Sequence, residues 1–189
     1  MVDLERLRKL LTPGASLRDD EPLAREKTHS PEKAAAVSPK RRRKEKVIFV
    51  AVASRENYLI CREKRIYAVK RPTLLARVQK GDIFVFYVTK TSQFPGIYEV
   101  VREVYSAGKS PFDSPFYRYH VDLKPLVELP EEKWIGLANI KDKLNAVKDK
   151  SISPGKFFQT ILRTLEEKDY RLLLNRMERK SSKIRANRT

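Results

Sequence analysis

The sequence predicts an α+β domain: a curved sheet of antiparallel or mixed strands, closed or nearly so, with helices packed against it. Apolar runs of strand length come first in the chain, at 47–53, 66–69, 83–88 and 97–101. Apolar residues at helical spacing come last, between 138 and 177. The segments 1–46 and 179–189 are basic and lack a long apolar pattern, which predicts a folded region at 47–178 between two basic tails.

The net charge indicates a polyanionic partner. The 189 residues carry 41 Lys and Arg against 24 Asp and Glu, a formal net charge of +17. Such an excess favours nucleic acid, RNA or DNA, over an anionic membrane. A charge-rich surface of the thermophile kind would explain the number of charges but not the imbalance of sign. No apolar run approaches the length of a membrane span, so we expect no membrane partner.

Cysteine and histidine are too rare for several kinds of site. Cys61 is the single cysteine, and the histidines are His29 and His120, which excludes an intramolecular disulfide and a zinc finger. No Gly-rich nucleotide-phosphate loop is present. We therefore expect no metal and no cofactor. A reducing compartment and the lack of a signal-peptide pattern predict a cytoplasmic location, and the oligomeric state stays open.

The N-terminal segment 1–46 is predicted to be a disordered tail with a short amphipathic helix at 3–11. The tail ends in a basic run, which we expect to contact phosphates without reading sequence. A solvated charge block that keeps the tail extended is an equally good interpretation. The predicted phosphate contacts are Lys40, Arg41, Arg42, Arg43 and Lys44.

The first strands follow directly. The continuous apolar run 47–53 predicts a central buried strand. Ser54 is placed to cap a helical turn that continues through Cys61. A short second strand is predicted at 66–69, and a further helical turn precedes Gly81.

Residues 83–101 predict a β-hairpin. Its first strand, 83–88, is apolar on both faces and should be buried on both sides. Gly96 begins the second strand, and a glycine there often marks the close approach of another backbone or of a ligand. We therefore expect the hairpin to form one wall of a binding pocket.

A loop and an alternating strand come next. Phe112 and Phe116 lie in a polar loop, where apolar rings plug a core edge or form a lid. The alternation at 117–123 predicts a half-exposed antiparallel strand with His120 and Asp122 on its exposed face. A His–Asp pair is conceivable in a hydrolase, but no serine stands in a nucleophile-elbow context, so two surface residues are the better interpretation.

The C-terminal part is predicted to be helical. Helical spacing indicates one helix at 138–147. Ser153-Pro154 is a start signal for a second, with an apolar face at 157, 158, 161, 162 and 165. A third apolar face comprises Tyr170, Leu173, Leu174 and Met177.

The chain carries the motifs R-V-x-x-G-D at 77–82 and G-I-Y-E-V at 96–100. These two motifs, at this separation, resemble the EVE domain, a family of the PUA-like superfamily related to YTH domains. The segments 54–58 and 66–69 also resemble that family, and 92–96 resembles a loop of YTH domains. The resemblance covers nearly all of 47–177. It implies a small pseudo-barrel with flanking helices and a pocket for a modified or flipped base.

The resemblance also implies positions for the pocket residues. The first-strand exit would contribute Ser54, Arg55 and Asn57. The second strand would contribute Tyr67 and Ala68, where the family usually has Trp and Gly. The hairpin wall would contribute Gly96 and Ile97. The last implied position is Tyr119; the family commonly has Tyr-Arg there, whereas His120 follows the tyrosine in this chain. Among the aromatic residues, Tyr67 and Phe94 are the best candidates to stack on a base, since both lie beside turns.

Three functions remain open at the level of sequence. The leading hypothesis is a non-enzymatic nucleic-acid-binding module whose pocket takes one base while the basic tails hold flanking phosphates. The second is a sequence-nonspecific basic RNA- or ribosome-associated protein. The third is a hydrolase of the ASCH-like kind, for which Glu99 is the nearest candidate carboxylate.

Overall fold

One curled sheet forms a half-barrel flanked by two helices in this computed structural model, which describes residues 45–147, 158 and 161–186. The predicted α+β class is confirmed. The predicted helix at 3–11, the predicted phosphate contacts at 40–44 and the predicted helix start at 153–154 lie outside the described residues. In order, the elements are β1 Ile48–Ala53, α1 Arg55–Lys64, β2 Ile66–Val69, β3 Ile83–Val88, β4 Gln93–Phe94, β5 Gly96–Val100, β6 Tyr105–Ser106, β7 Tyr119–Glu128, β8 Ile135–Gly136, β9 Leu162–Thr164 and α2 Glu167–Ala186.

The sheet order is β2-β7-β5-β3-β1-β9, with β4, β6 and β8 paired off this path. Strands β1 and β3 are parallel, with Ile48 opposite Ile83 and Ala53 opposite Val88. Because parallel strands end at the same edge of a sheet, Ser54 and Thr89 emerge side by side. That edge carries the cavity described below.

The core is centred on β3, in which all six residues are buried, as the two-sided apolar pattern predicts. Phe86 lies among the rings of Tyr58, Tyr67 and Tyr98, with centroid separations of 5.2, 5.7 and 5.1 Å. Edge-to-face rings at such distances add about 0.5–1.5 kcal/mol per pair beyond their burial. This aromatic cluster fixes α1, β2 and β5 against β3.

Helix α1 begins as its sequence predicts. The Ser54 Oγ accepts a hydrogen bond from the main-chain N–H of Asn57 at 3.2 Å. Such a cap satisfies one of the four N–H groups that a helix start leaves without partners. The helix ends at Arg65, whose φ of 57° turns the chain into β2.

Helix α2 continues to Ala186, past the predicted domain end at residue 178. Leu173 and Met177 on its predicted apolar face are fully buried. Its first turn is anchored by Asp169, whose carboxylate accepts the N–H groups of Asn145 and Ala146 at 2.8 and 2.7 Å. No helix in the described part of the chain is long and apolar enough to cross a membrane.

Two helical predictions are wrong within the described residues: the helix at 138–147, and the part at 161–165 of the helix predicted to start at 153–154. Within 138–147 the chain forms short 3₁₀ turns, at Leu137–Asn139 and Lys141–Lys143, because the N–H groups of Asn145 and Ala146, which a helix would use internally, donate to the Asp169 carboxylate. The apolar residues at 162 and 165 do not share a helix face. Leu162–Thr164 instead pairs with β1, with Phe49 opposite Thr164, because the outer edge of β1 is open to a third strand.

The predicted exposure of His120 is also wrong, since its side chain is only 4% exposed. Strand β6 pairs with β7 and places Tyr105 opposite His120, and the two rings meet edge to face at 5.6 Å. His120 donates from Nε2 to the Tyr117 carbonyl at 3.0 Å. Asp122 accepts a hydrogen bond from the Tyr105 hydroxyl at 2.7 Å. His120 and Asp122 are therefore not the two exposed surface residues that the sequence predicts.

Candidate functional site

A partly open cavity of about 610 Å³ lies where β1 and β2 end and α1 begins. Its volume falls within the range of sites that bind small ligands. Most of the lining is apolar, and the polar groups come from α1 and from the chain after β2 and β3. The lining residues are Val52, Ala53, Ser54, Asn57, Cys61, Tyr67, Ala68, Val69, Lys70, Arg71, Leu74, Thr89, Phe112, Tyr117 and Ile161.

Tyr67 forms a rigid part of the wall. Its hydroxyl donates hydrogen bonds to two carbonyl oxygens, Val52 O at 3.2 Å and Ile161 O at 3.3 Å. Its ring meets Phe84 and Phe86 edge to face. Burial raises the pKa of Tyr67 far above its usual value, so the hydroxyl stays neutral. The residue therefore offers a fixed ring to the cavity while its hydroxyl ties β1 to the segment before β9.

Asn57 supplies an unengaged polar side chain. Its main-chain N–H is used by the Ser54 cap, but its carboxamide has no hydrogen-bond partner among the described residues. A carboxamide offers two donors and one acceptor, which matches the mixed edge of a nucleobase. The neighbouring Cys61 is different, since burial raises the pKa of its thiol to about 12 and keeps it neutral.

The rim of the cavity is aromatic and basic. Phe112 and Tyr117, from the loop 107–118 between β6 and β7, meet edge to face at 4.9 Å. Lys70 follows β2, and its ammonium lies 5.2 Å from the Tyr117 ring centroid and 5.9 Å from that of Phe116. Arg71 adds a second positive charge beside it. Rings that flank cations are the groups that hold unstacked bases and their phosphates.

No group of three or more His, Cys, Asp or Glu that could hold a metal ion occurs in the described ranges. The cavity lining within those ranges also contains no Asp or Glu. The chemistry that the lining offers is stacking, hydrogen bonding through Asn57 and attraction of anions at the rim.

Comparisons with known proteins assign the chain to a family. The EVE domain family model matches residues 61–176. The chain belongs to the EVE domain family. A UPF0310 protein of Pyrococcus abyssi is 30% identical over 139 residues, which cover 66% of this chain and 95% of that protein. A UPF0310 protein of Pyrococcus horikoshii is 28% identical over 144 residues, covering 66% and 94%.

Solved structures share the fold of this EVE domain. The Mmi1 YTH domain in complex with RNA matches with a TM-score of 0.52 and 13% identity, over 74% of this chain and 82% of that one. A hypothetical protein from Leishmania major matches with a TM-score of 0.53 and 15% identity, over 74% and 99%. The YTH domain of Zygosaccharomyces rouxii MRB1 in complex with N6-methyladenosine RNA matches with a TM-score of 0.50 and 14% identity, over 72% of this chain and 90% of that one. These likenesses confirm the predicted PUA-like, YTH-related fold.

The EVE domain brings together four of the residues predicted for the pocket, which are Ser54, Asn57, Tyr67 and Ala68. Arg55 does not line the cavity. Its guanidinium forms a two-pronged ion pair with Glu131, with Nη2 2.8 Å from Oε2. This contact raises the pKa of Arg55 and lowers that of Glu131.

The predicted hairpin wall lies in the core instead of at the cavity. Phe94 is 1% exposed and packs between the rings of Tyr87 and Phe158, at 5.2 and 5.7 Å. Ile97 is fully buried. At Gly96, a Cβ atom would lie 2.9 Å from the carbonyl oxygen of Val127 in β7. The close approach that this glycine permits is therefore that of a neighbouring strand.

Tyr119 also does not line the cavity, since it pairs with Val69 and Ser106 within the sheet. Among the lining residues that sequence reasoning left out of the pocket are two cations, Lys70 and Arg71, and two aromatic residues, Phe112 and Tyr117. A signal for the two rings existed, because Phe112 and Tyr117 stand in a loop with three apolar rings and two prolines within eight residues, 110–117. Apolar rings in such a loop are expected to pack against the surface of the domain, because packing removes them from water.

Proposed function

We propose that this EVE domain is an RNA-binding module that takes one unstacked base, in a modified form, into the cavity. The observation that carries the proposal is that three groups line the same cavity: the fixed Tyr67 ring, the Asn57 carboxamide, which lacks a hydrogen-bond partner among the described residues, and the Lys70 ammonium, which lies 5.2 Å from the Tyr117 ring centroid. Support also comes from the fold, since YTH domains in complex with RNA share it. The net charge of +17 suits a polyanionic ligand.

Binding divides into positioning and recognition. A base that enters the cavity stacks on the rim rings, which contributes about 1–3 kcal/mol. The Asn57 carboxamide reads the polar edge of that base. Lys70 and Arg71 contact phosphates, which gives affinity that falls with salt but does not depend on sequence.

A modified base suits the apolar part of the lining. Val52, Leu74 and Ile161 line the cavity and have aliphatic side chains. A methyl group buried against such surface contributes about 0.8 kcal/mol, or about fourfold in affinity. We therefore expect a methylated base to bind more tightly than the same base without the methyl group.

Fluorescence anisotropy with short single-stranded RNAs, with and without a methylated base, tests this function, and matched DNA strands show whether the sugar matters. Asn57→Ala should lower affinity about tenfold, as expected for one hydrogen bond in a desolvated site. Asn175→Ala is the matched control, because Asn175 is exposed on α2. Equal affinities of both variants and the unmodified protein, or no preference for any modified base, would contradict the proposal.

We also propose that the activity is binding and not catalysis, and that the protein is cytoplasmic. The carboxylate considered for a hydrolase, Glu99, does meet a lysine, with Lys46 Nζ 3.0 Å from Oε1. The Lys46 side chain is 63% exposed, and Glu99 lies opposite Ile83, at the start of β3, whereas the cavity lies beyond its end. Hydrolysis of nucleotides by the purified protein, lost in Glu99→Gln, would contradict the non-enzymatic proposal.

A sequence-blind RNA binder is the second candidate, and one observation favours it. A groove of about 330 Å³ along α2 is lined by Arg176, Arg179 and Lys180. Arg176 and Lys180 donate to main-chain carbonyls, Asn139 O at 3.4 Å and Lys133 O at 3.1 Å, and these neutral acceptors do not compensate their charges. Equal affinity for modified and unmodified strands, with loss of affinity in Arg176→Glu, would favour this candidate.

A further inference from the structure

Phe116 is an aromatic ring on the surface beside the cavity. It is 64% exposed, more than any other large apolar side chain that the structure describes. Its chain neighbour, Tyr117, lines the cavity. The main chain around Phe116 is held, since Arg118 donates from its N–H to Phe116 O at 3.0 Å and from Nε to Pro115 O at 3.4 Å. The main chain is therefore held in place at Phe116, although little of the ring is buried.

Lys70 joins this ring to the cavity. It lines the cavity, and its ammonium lies 5.9 Å from the Phe116 centroid and 5.2 Å from that of Tyr117. No carboxylate within the described residues forms an ion pair with it. A cation in such a position, between two rings, suits a phosphate.

We propose that Phe116 and Lys70 form a second nucleotide subsite, adjacent to the cavity. The base next to the cavity nucleotide stacks on Phe116, and the phosphate that links the two nucleotides binds Lys70. The inference rests on the proposed function, and it adds the class of ligand: a single strand that is unpaired at two consecutive nucleotides. Any base is accepted on Phe116, because every base has a π face.

A nucleobase suits this position better than a protein side chain does. An apolar protein partner would have to desolvate the Lys70 ammonium beside the ring without compensation, which is unfavourable. A nucleotide brings both the flat ring and the negative charge that the pair of residues requires. The subsite is also contiguous with the cavity, through Tyr117 and Lys70.

The test compares N6-methyladenosine 5′-monophosphate with two dinucleotides that add a uridine on its 5′ or its 3′ side, by calorimetry on the full chain. One dinucleotide should bind about 5- to 150-fold more tightly than the mononucleotide, the range for one stacked base. Phe116→Ala should abolish this gain and leave mononucleotide affinity unchanged. Phe116→Trp should retain it.

Two further variants isolate the roles of ring and charge. Leu126→Ala is the control for exposed apolar surface, because Leu126 is 43% exposed in β7 and does not line the cavity. It should change neither affinity. Lys70→Gln should remove the affinity gained when a phosphate is added to the nucleoside.

The outcomes separate this inference from the function on which it rests. A mononucleotide that binds while neither dinucleotide binds more tightly would overturn the second subsite and leave the cavity proposal standing. Equal loss of mononucleotide and dinucleotide affinity in Phe116→Ala would overturn it too, since the ring would then serve the cavity itself. Absence of binding by all three ligands, together with no preference for any modified base in the anisotropy titrations, would overturn the cavity proposal and the subsite together.

Discussion

The sequence predicts a pocket with two facing walls, one at the exit of the first strand and one at the hairpin, and only the first borders the cavity in the structure. The wall formed by Ser54, Asn57 and Ala68 borders the cavity, whereas the hairpin wall at Phe94–Ile97 is packed inside the sheet. The first wall stands where strands end and the chain leaves the sheet. The second stands where the chain enters it, between β3, β7 and β8. Side chains at strand exits remain available for ligands, whereas those at a doubly paired strand entry are used for packing.

The same contrast separates the aromatic residues. Phe94 lies beside a turn and is nevertheless buried, because Tyr87 and Phe158 cover its ring. Phe112 and Tyr117 belong to a loop, and their rings reach the cavity rim. Proximity to a turn therefore does not predict which ring lines the cavity.

The largest effect is expected at Phe94. Phe94→Ala should lower the free energy of unfolding by about 4 kcal/mol, because it leaves a cavity among buried rings. Urea titration followed by fluorescence measures this change. The affinity of the folded fraction for RNA should be unchanged. If Phe94→Ala left the free energy of unfolding unchanged but abolished RNA binding, Phe94 would belong to the binding site and not to the core.

Gly96 should follow. Gly96→Ala places a Cβ atom 2.9 Å from Val127 O, a main-chain atom of β7. We expect a loss of about 2 kcal/mol in unfolding free energy from this overpacking, measured in the same titration. Gly108→Ala is the control, since a Cβ atom added there would meet no atom within 4 Å beyond its chain neighbours. Similar stabilities of the two variants would show that β7 does not require glycine at 96.

Tyr117 and Tyr119 form a matched pair, both half-buried and two residues apart. Tyr117 lines the cavity and Tyr119 does not. Tyr117→Ala should lower RNA affinity by about 1–2 kcal/mol, whereas Tyr119→Ala should change it less than about twofold. Anisotropy titrations, with melting temperatures as a check on folding, decide between them. The reverse order would support the position implied by family resemblance over the position seen in the structure.

A smaller effect concerns pH and the buried thiol of the cavity wall. Burial raises the pKa of Cys61 to about 12 in the folded state. The unfolded thiol loses its proton near its ordinary pKa of about 8.5, so the stability contributed by the neutral buried form is complete below that pH and is lost as pH rises towards 12. The resulting loss is about 1 kcal/mol by about pH 9.5. Denaturant titrations should show a shallower decline between about pH 8.5 and 9.5 in Cys61→Ala, and identical slopes would contradict the assignment.

Much of the sheet was predictable because its signals are local. The apolar runs at 48–53, 66–69 and 83–88 are strands, and Ser54 caps α1. What the sequence could not show depends on distant partners. Leu162–Thr164 became a strand because β1 had an open edge, and His120 is buried because β6 pairs across it.

The candidate site was half predictable for the same reason. The resemblance to the EVE domain implied Ser54, Asn57, Tyr67 and Ala68, which lie at a strand end, at a helix start and in a short strand and do line the cavity. The rim residues Phe112 and Tyr117 required knowledge of where the loop 107–118 returns to the sheet. That return depends on the pairing of β6 with β7. This pairing involves only two residues of β6, which is too short for a periodic sequence pattern to predict it.

In the proposed complex, a base enters at the ends of β1 and β2 and not at the hairpin wall. Titration of the ¹⁵N-labelled protein with a short RNA that contains a methylated base, followed by amide chemical shifts, shows which of the two regions contacts the base. The amides of Ser54, Asn57, Ala68 and Lys70 should shift together with one dissociation constant, while those of Phe94 and Ile97 stay in place. Shifts confined to the hairpin or to α2, with none around the cavity, would contradict it.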